Sequence, residues 1–196
     1  RQQEAKREAE EKELTLAKRI SNFFKDWRTR FVLGTFFMLL GVFLCVAFIS
    51  FMRGAGDADQ SITAQSAISN AKNTVLTHNV MGPLGASAAE NFIRQGYGLA
   101  SFVVVIWSIG LAVRFFKRKS KVFFFSFTLI SLFSLLTFSL AISLFTMNLN
   151  LASYPLGGNF GKEFNGFLCQ LLGVYGMVGV DVFLLIIWIL LTYKVT

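Results

Sequence analysis

The sequence predicts an all-α, polytopic membrane protein with four transmembrane helices and short interfacial amphipathic helices between them. Composition is the first observation behind this prediction: 54% of the 196 residues are hydrophobic, only 15% are charged, and the mean hydropathy is +0.57. Soluble domains carry about a quarter charged residues. The second observation is segregation, because the apolar residues gather in four long runs and most of the charged residues lie between them.

Residues 1–30 are predicted to form a cytoplasmic, charged and amphipathic N-terminal helix. Arg1–Glu13 has no proline or glycine and is rich in strong helix formers. From Leu14 to Trp27, apolar and aromatic side chains recur at helical spacing among basic ones, which is typical of a helix lying in the membrane interface. Because the first residue is not Met and the last apolar run ends beside Thr196, the sequence is expected to be a piece of a longer protein.

The four spans are predicted within a transmembrane domain of residues 31–196. A helix rises about 1.5 Å per residue, so about 20 apolar residues match the roughly 30 Å hydrocarbon core of a bilayer. Each apolar run is close to this length and free of charged residues over most of it. The predicted spans are about 31–51, 99–116, 122–145 and 173–193.

Two short amphipathic stretches, Gly85–Gln95 and Gly161–Leu172, precede the second and fourth spans. The first begins at the glycine of a Pro-Leu-Gly tripeptide and the second lies shortly after another, so both halves share the order span, loop, amphipathic stretch, span. This order predicts an internal repeat, with chance recurrence of glycine as the alternative. Since glycine permits backbone angles that other residues avoid, six glycines are predicted to be elbows between the interface and the bilayer. They are Gly85, Gly96, Gly98, Gly161, Gly173 and Gly176.

The distribution of lysine and arginine predicts an N-in/C-in topology, with both termini in the cytoplasm. Of the 19 such residues, nine precede the first span, five lie at the turn between the second and third spans, and one follows the fourth. A bias of this size is a strong positive-inside signal. The net charge of +8 is explained in the same way, because basic residues beside a span anchor it to anionic lipid. The predicted interface anchors are Lys25, Trp27, Arg28, Arg30, Arg114, Lys117, Arg118 and Lys119.

No residue pattern indicates catalysis, a cofactor or a metal site. Two cysteines and one histidine are too few for a zinc site, and the chain lacks a phosphate-binding P-loop. We therefore expect no enzymatic activity in this chain, and no cofactor.

Asp181 is the only acidic residue inside a predicted span. Acidic groups at such depth are costly and often functional. The favoured interpretation is an interhelical hydrogen bond to the serines of the third span, and the others are a contact with a partner protein or a proton site. A span beginning near Val180 would leave Asp181 at the interface, but the twelve residues from Val182 to Tyr193 are too few to cross a membrane.

Several short motifs, taken in order, resemble the N-terminal four-helix membrane region of FtsK/SpoIIIE-type DNA translocases. The resemblance covers roughly Lys25 to Tyr193 and leaves out Arg1–Glu13. The motifs are Lys25–Phe31, Ala58–Ser61, Asn79–Ala86, Gly98–Phe102, the glycines at 157, 158 and 161, and those at 173 and 176.

The resemblance implies a membrane anchor and divisome-assembly domain in the bacterial inner membrane, at the division septum. In that family a linker joins the membrane region to a cytoplasmic hexameric ATPase motor, which pumps chromosomal DNA during division. The implied partners are the lipid bilayer, further copies of the chain in a homo-oligomer, and other division-site membrane proteins. The linker and motor are missing from this sequence, so contact with DNA is implied only through the missing motor.

Two other functions remain open from the residues alone. A small four-helix transporter or channel needs polar residues along a path, and only Asp181 and the serines of the third span qualify. A membrane scaffold of the tetraspan type usually carries paired cysteines in its outer loops, and the long loop here has none.

Overall fold

The computed structural model describes residues 26–56, 59, 77–117, 121–146 and 154–195, apart from the side chains of 55, 121–124, 194 and 195. Within these ranges every regular element is helical, and four helices are long and apolar enough to cross a membrane. The predicted all-α class with four spans is therefore confirmed. Most of the predicted N-terminal helix, and the predicted anchors Lys25, Arg118 and Lys119, lie outside the described residues.

The first span is helix α1, which runs from Trp27 to Ser50 and continues into a π-helical turn, Phe51–Ala55. It begins before the predicted boundary at residue 31, because the Asp26 side chain accepts a hydrogen bond from the Arg28 backbone N–H over 3.2 Å. Such a cap satisfies one of the free N–H groups at the start of a helix.

The first amphipathic stretch and the second span are joined through irregular helical turns. The parts in order are α2 (Gly82–Ala89), a π-helical stretch (Glu90–Tyr97), a 3-10 turn (Gly98–Ser101) and α3 (Phe102–Lys117). Gly96, with φ −92° and ψ −117°, departs from helical geometry inside the π-helical stretch.

The third span is α4 (Lys121–Thr146), within one residue of its predicted bounds at each end. Helix α5 (Gly158–Val195) contains both the second amphipathic stretch and the fourth span, with a break at Gly173, where φ is 71° and ψ is 175°. We call residues 158–172 the proximal arm of α5 and residues 174–195 its distal arm.

The spans pack mainly as two antiparallel pairs, α1 with α3 and α4 with α5. In the first pair a Cβ on Gly41 would lie 2.7 Å from Ile109 Cγ1, so glycine lets the two helices approach closely. The Ser108 hydroxyl of α3 donates to the Phe37 carbonyl of α1 over 2.8 Å. The two halves of the chain thus have the same order and pairing of elements.

In the second pair Trp188 of α5 contacts α4. Its indole N–H donates to the Ser134 hydroxyl, and its ring packs 4.8 Å, centroid to centroid, from Phe138. The pairs meet through α3 and α4, where the Trp107 indole N–H donates to the Thr128 hydroxyl over 3.2 Å.

The bundle has two ends, which we name by their connections. At the turn end α1 and α4 begin and α3 and α5 end; at the loop end α1 and α4 end and α3 and α5 begin. A buried apolar cluster lies at the loop end, where α2 and the π-helical stretch pack against α1 and α3. Its buried members are Leu44, Ala47, Phe48, Phe51, Ala89, Ile93 and Val105.

Candidate functional site

Five of the predicted interface anchors are described, and all five lie at the turn end. Trp27, Arg28 and Lys117 are exposed there. Arg30 and Arg114 are half-buried and make contacts within the fold. The turn end therefore presents an exposed tryptophan and two exposed cations beside the ends of the first two spans.

The two half-buried arginines connect neighbouring helices. The Arg30 guanidinium of α1 donates to the Phe115 carbonyl over 2.7 Å, satisfying an acceptor in the last turn of α3. The Arg114 guanidinium of α3 lies 3.6 Å from the centroid of the Phe127 ring of α4, a cation–π contact. Arg30 thus connects α1 to α3 and Arg114 connects α3 to α4, in addition to their positions near the end of a span.

The six glycines predicted to be elbows divide into two groups. Gly96, Gly98 and Gly173 lie where the backbone departs from helical geometry. The prediction is wrong for the other three, because they lie inside helices: Gly85, Gly161 and Gly176.

Two of these helical glycines allow close packing. A Cβ on Gly85 would lie 2.9 Å from the Asn79 side-chain oxygen, and one on Gly161 would lie 2.5 Å from the Ser139 carbonyl oxygen of α4. At Gly161 the requirement for glycine comes from a different helix, which sequence periodicity cannot identify. At Gly85 it comes from the residues just before it, since a Cβ there would also lie 2.3 Å from Met81 Cβ.

At the loop end the two halves of the chain cross with their backbones in contact. The Leu99 N–H donates to the Leu156 carbonyl over 2.8 Å. Gly98 has φ +64°, and a Cβ built on it would lie 2.0 Å from that same carbonyl oxygen. A Cβ on Gly158 would likewise lie 2.0 Å from the Gly96 carbonyl oxygen. We call residues 96–98 and 156–158 the glycine crossing; neither glycine leaves room for a side chain.

Arg94 forms a second connection at the loop end. Its Nε donates to Glu90 over 3.0 Å and its terminal nitrogen donates to the Gly56 carbonyl over 2.8 Å. Its guanidinium carbon lies 5.6 Å from the ring centroids of both Phe51 and Tyr154. Arg94 therefore links the end of α1, the π-helical stretch and the second loop. Of these contacts, the sequence indicates only the ion pair with Glu90, through its i,i+4 spacing.

Asp59 holds the return of the first loop to the end of α1. Its carboxylate accepts hydrogen bonds from the backbone N–H groups of His78, at 3.1 Å, and Asn79, at 2.9 Å. The Asn79 side chain donates to the Ala47 carbonyl over 3.0 Å, and the Val80 N–H donates to Ser50. Asp59 and Asn79 are both buried, so this end of the loop is fixed on α1.

Asp181 is 2% exposed and lies in the distal arm of α5. Neither carboxyl oxygen has a hydrogen-bond partner among the described residues, although Asn165 of the proximal arm lies close enough to influence the group. No serine of α4 bonds to Asp181 among the described residues, and Ser139 donates instead to the Gly157 carbonyl. The predicted bond to the third-span serines is therefore wrong. Its neighbour lies on the other side of the helix break, where sequence spacing gives no signal.

The match to known families decides what this bundle is. The family model for the 4TM region of DNA translocase FtsK/SpoIIIE matches residues 28–196. The chain belongs to this family. It is accordingly a multi-pass membrane protein, and the matched 4TM region is the membrane part of FtsK/SpoIIIE rather than its ATPase motor. No individual curated protein and no solved structure matches the chain significantly.

Most of the described residues in the motifs by which this chain resembles FtsK/SpoIIIE membrane regions lie at the loop end, whereas the motif that leads into α1 lies at the turn end. Asp59 and Asn79 hold the first loop, and Gly98 crosses Gly158. Gly161 packs on α4 beside this crossing. Motifs separated along the chain of this 4TM region thus form one structural unit, in which the amphipathic segments contact the spans.

Proposed function

We propose that this chain anchors an FtsK/SpoIIIE-type DNA translocase in the bacterial inner membrane and helps to assemble the division machinery at the septum. The match of residues 28–196 to the FtsK/SpoIIIE 4TM region carries the proposal. The work of the chain is to bind lipid and protein partners, and it is not itself an enzyme. Chromosome segregation and contact with DNA belong to the motor of the full translocase.

The proposed topology has the turn end in the cytoplasm. Trp27, Arg28 and Lys117 are exposed at that end, and basic residues beside a span favour the cytoplasmic side. The distal arm of α5 also ends there, on the side where a cytoplasmic motor would be attached.

Reporter fusions test this topology. A fluorescent protein that matures only in the cytoplasm should be bright when fused after Thr196 or inserted at residues 118–120. Alkaline phosphatase, which is active only outside the cytoplasm, should be active when inserted at residues 61–76. The reverse pattern would overturn the topology and leave the family assignment intact.

We further propose that the chain forms a homo-oligomer, for which the family suggests a hexamer, and contacts other division-site membrane proteins. The face offered for these contacts is the distal arm of α5. Only 11% of the most apolar part of α5 is buried, against 28–39% in the other three spans. Its exposed side chains include Phe183, Ile186 and Leu190.

Localisation and cross-linking separate anchoring from assembly. A fluorescent fusion of residues 1–196 should fractionate with the inner membrane and form a band at the septum of dividing cells. A uniform membrane signal would contradict the assembly role and leave anchoring standing. A cysteine at Ile186 should cross-link copies of the chain more than one at Leu39 of α1, which is also exposed; equal cross-linking would contradict the assigned face.

A further inference from the structure

Three buried polar side chains in the second half of the bundle contain oxygen atoms with no hydrogen-bond partner among the described residues. They are Thr137 of α4, Asn165 of the proximal arm and Asp181 of the distal arm, each at most 2% exposed. The atoms concerned are Thr137 Oγ1, Asn165 Oδ1 and both carboxyl oxygens of Asp181. Buried polar groups usually have partners, so these oxygens require an explanation.

The helix register brings two of these side chains to one level of the bundle. Trp188 contacts Ser134, and α4 and α5 are antiparallel. Asp181 lies two helical turns before Trp188, and so on the same face of the distal arm. Counting the same seven residues forward from Ser134 on α4 places Asp181 level with Ala141, next to Leu140, whose carbonyl accepts a hydrogen bond from Asn165 Nδ2 over 3.0 Å. The nearness of Asn165 to the Asp181 carboxyl agrees with this register.

No described cation faces Asp181. Among the residues described on α4 from 125 onward, none is charged. On the proximal arm Lys162 and Glu163 are exposed. On the π-helical stretch, which also packs against α5, Arg94 is paired with Glu90. A carboxylate at this place would be buried without a counter-charge, so the neutral acid is the less costly form.

Asn165 can bind a neutral acid at both ends of its carboxamide group. A carboxamide nitrogen has two hydrogens, and Leu140 takes one of those on Nδ2. The second hydrogen can reach the Asp181 carbonyl oxygen, while the Asp181 hydroxyl donates to Asn165 Oδ1. An ionised carboxylate offers only acceptors, which would leave Oδ1 unpaired.

We propose that Asp181 holds a proton inside the membrane and pairs as a neutral carboxylic acid with the Asn165 carboxamide through two hydrogen bonds. The pair joins the two arms of α5 across the break at Gly173. It binds one proton and fixes the angle between the arms. Loss of the proton removes the donor to Oδ1 and releases one of the two bonds. This inference does not depend on the proposed anchoring function.

Infrared spectroscopy of the whole chain in lipid tests the protonation state directly. At neutral pH the difference between wild type and Asp181→Asn should show the loss of a carbonyl-stretch band of a protonated carboxylic acid. The control is Asp26→Asn at the exposed start of α1, which should lose carboxylate bands only. Loss of carboxylate bands alone in Asp181→Asn would overturn the proposal.

Two further infrared experiments test whether Asn165 is the hydrogen-bond partner of Asp181 and whether the bound ion is a proton. Asn165→Ala should move the acid band to higher frequency, because the acid loses its hydrogen bonds, whereas Thr137→Val should leave it in place. The band should also be the same with and without sodium ions. A band unchanged in Asn165→Ala would overturn the pairing, and conversion to carboxylate by sodium would mean a metal-cation site instead.

Distance measurements test whether the Asp181–Asn165 pair fixes the angle between the two arms of α5 at Gly173. Spin labels at Phe167 and Ile186, which are exposed on the two arms, report the angle between them. With Cys45 and Cys169 replaced by serine, Asp181→Asn should keep the wild-type distances, because two carboxamides also pair through two hydrogen bonds. Asp181→Leu should broaden the distribution, and an unchanged distribution in that variant would contradict a role of the pair at the break.

Discussion

Gly98 and Gly158 come from opposite halves of the chain and pack against each other with no room for a side chain on either. A Cβ on Gly98 would lie 2.4 Å from the Gly158 nitrogen, and one on Gly158 would lie 2.4 Å from the Gly98 nitrogen. The adjacent hydrogen bond from Leu99 to Leu156 is formed by backbone atoms only. The join between the halves therefore depends on the two glycines.

Replacing Gly98 with alanine should destabilise the bundle strongly. The positive φ alone disfavours an L-residue by about 1–2 kcal/mol, and the overlap with Leu156 adds about 1–3 kcal/mol. Thermal unfolding in detergent micelles measures the change. Gly179→Ala is the matched control, because that glycine lies in the distal arm with no atom within 4 Å of a built Cβ. Equal stability of the two variants would contradict the crossing.

Gly41→Ala should weaken the pairing of α1 with α3. The added methyl group would overlap Ile109 Cγ1, and overpacking of this kind costs about 1–3 kcal/mol. Because the obstacle is one side chain, the penalty should shrink when Ile109→Ala is also present. A double-mutant cycle on unfolding free energies measures this coupling. Gly166→Ala, at an uncrowded position, serves as control; a cycle with no coupling would rule out this contact.

Arg94→Met should cost about 3 kcal/mol of unfolding free energy, because Glu90 is 8% exposed and loses its charge partner. Adding Glu90→Gln should recover part of the loss by removing the unpaired charge. Arg94→Lys should fall between wild type and Arg94→Met, since an ammonium group cannot reproduce the forked contacts to Glu90 and Gly56. If the double variant is no more stable than Arg94→Met, the ion pair does not explain the effect.

Asp59→Asn should loosen the first loop where it returns to α1. One of the two acceptor oxygens becomes an N–H donor facing the backbone N–H groups of His78 and Asn79, at a cost of about 1–3 kcal/mol. Hydrogen exchange of the Asn79 amide should be faster in this variant. His78→Gln should have little effect, because the His78 side chain is 67% exposed and its backbone N–H is kept. Faster exchange in both variants would assign the effect to the histidine ring.

The four spans could be predicted from the sequence because bilayer thickness fixes their length and the apolar runs are distinct. The third span was predicted to within one residue at each end, whereas α1 starts earlier because the Asp26 cap is a local hydrogen bond outside the apolar run. The fourth span was predicted to begin at about residue 173, which is where the backbone of α5 breaks.

The contacts of the loop end were much less predictable. Gly98 and Gly173 stand out in the sequence because glycine marks unusual backbone angles, but Gly161 is required by the Ser139 carbonyl of a different helix. Arg94 also contacts Gly56 and Tyr154, and Asp181 lies near Asn165 across the break in α5, all of them distant in the sequence. Single-sequence patterns carry local geometry, and these interactions are long-range.

The glycine crossing has a consequence for how sequences in this family can diverge. A contact between main-chain atoms does not depend on which side chains surround it. The lipid-facing residues can therefore be substituted as membrane composition differs between lineages. The same contact excludes every amino acid with a β-carbon at positions 98 and 158. Distant relatives should therefore keep this pair of glycines after most of the apolar residues around them have been exchanged.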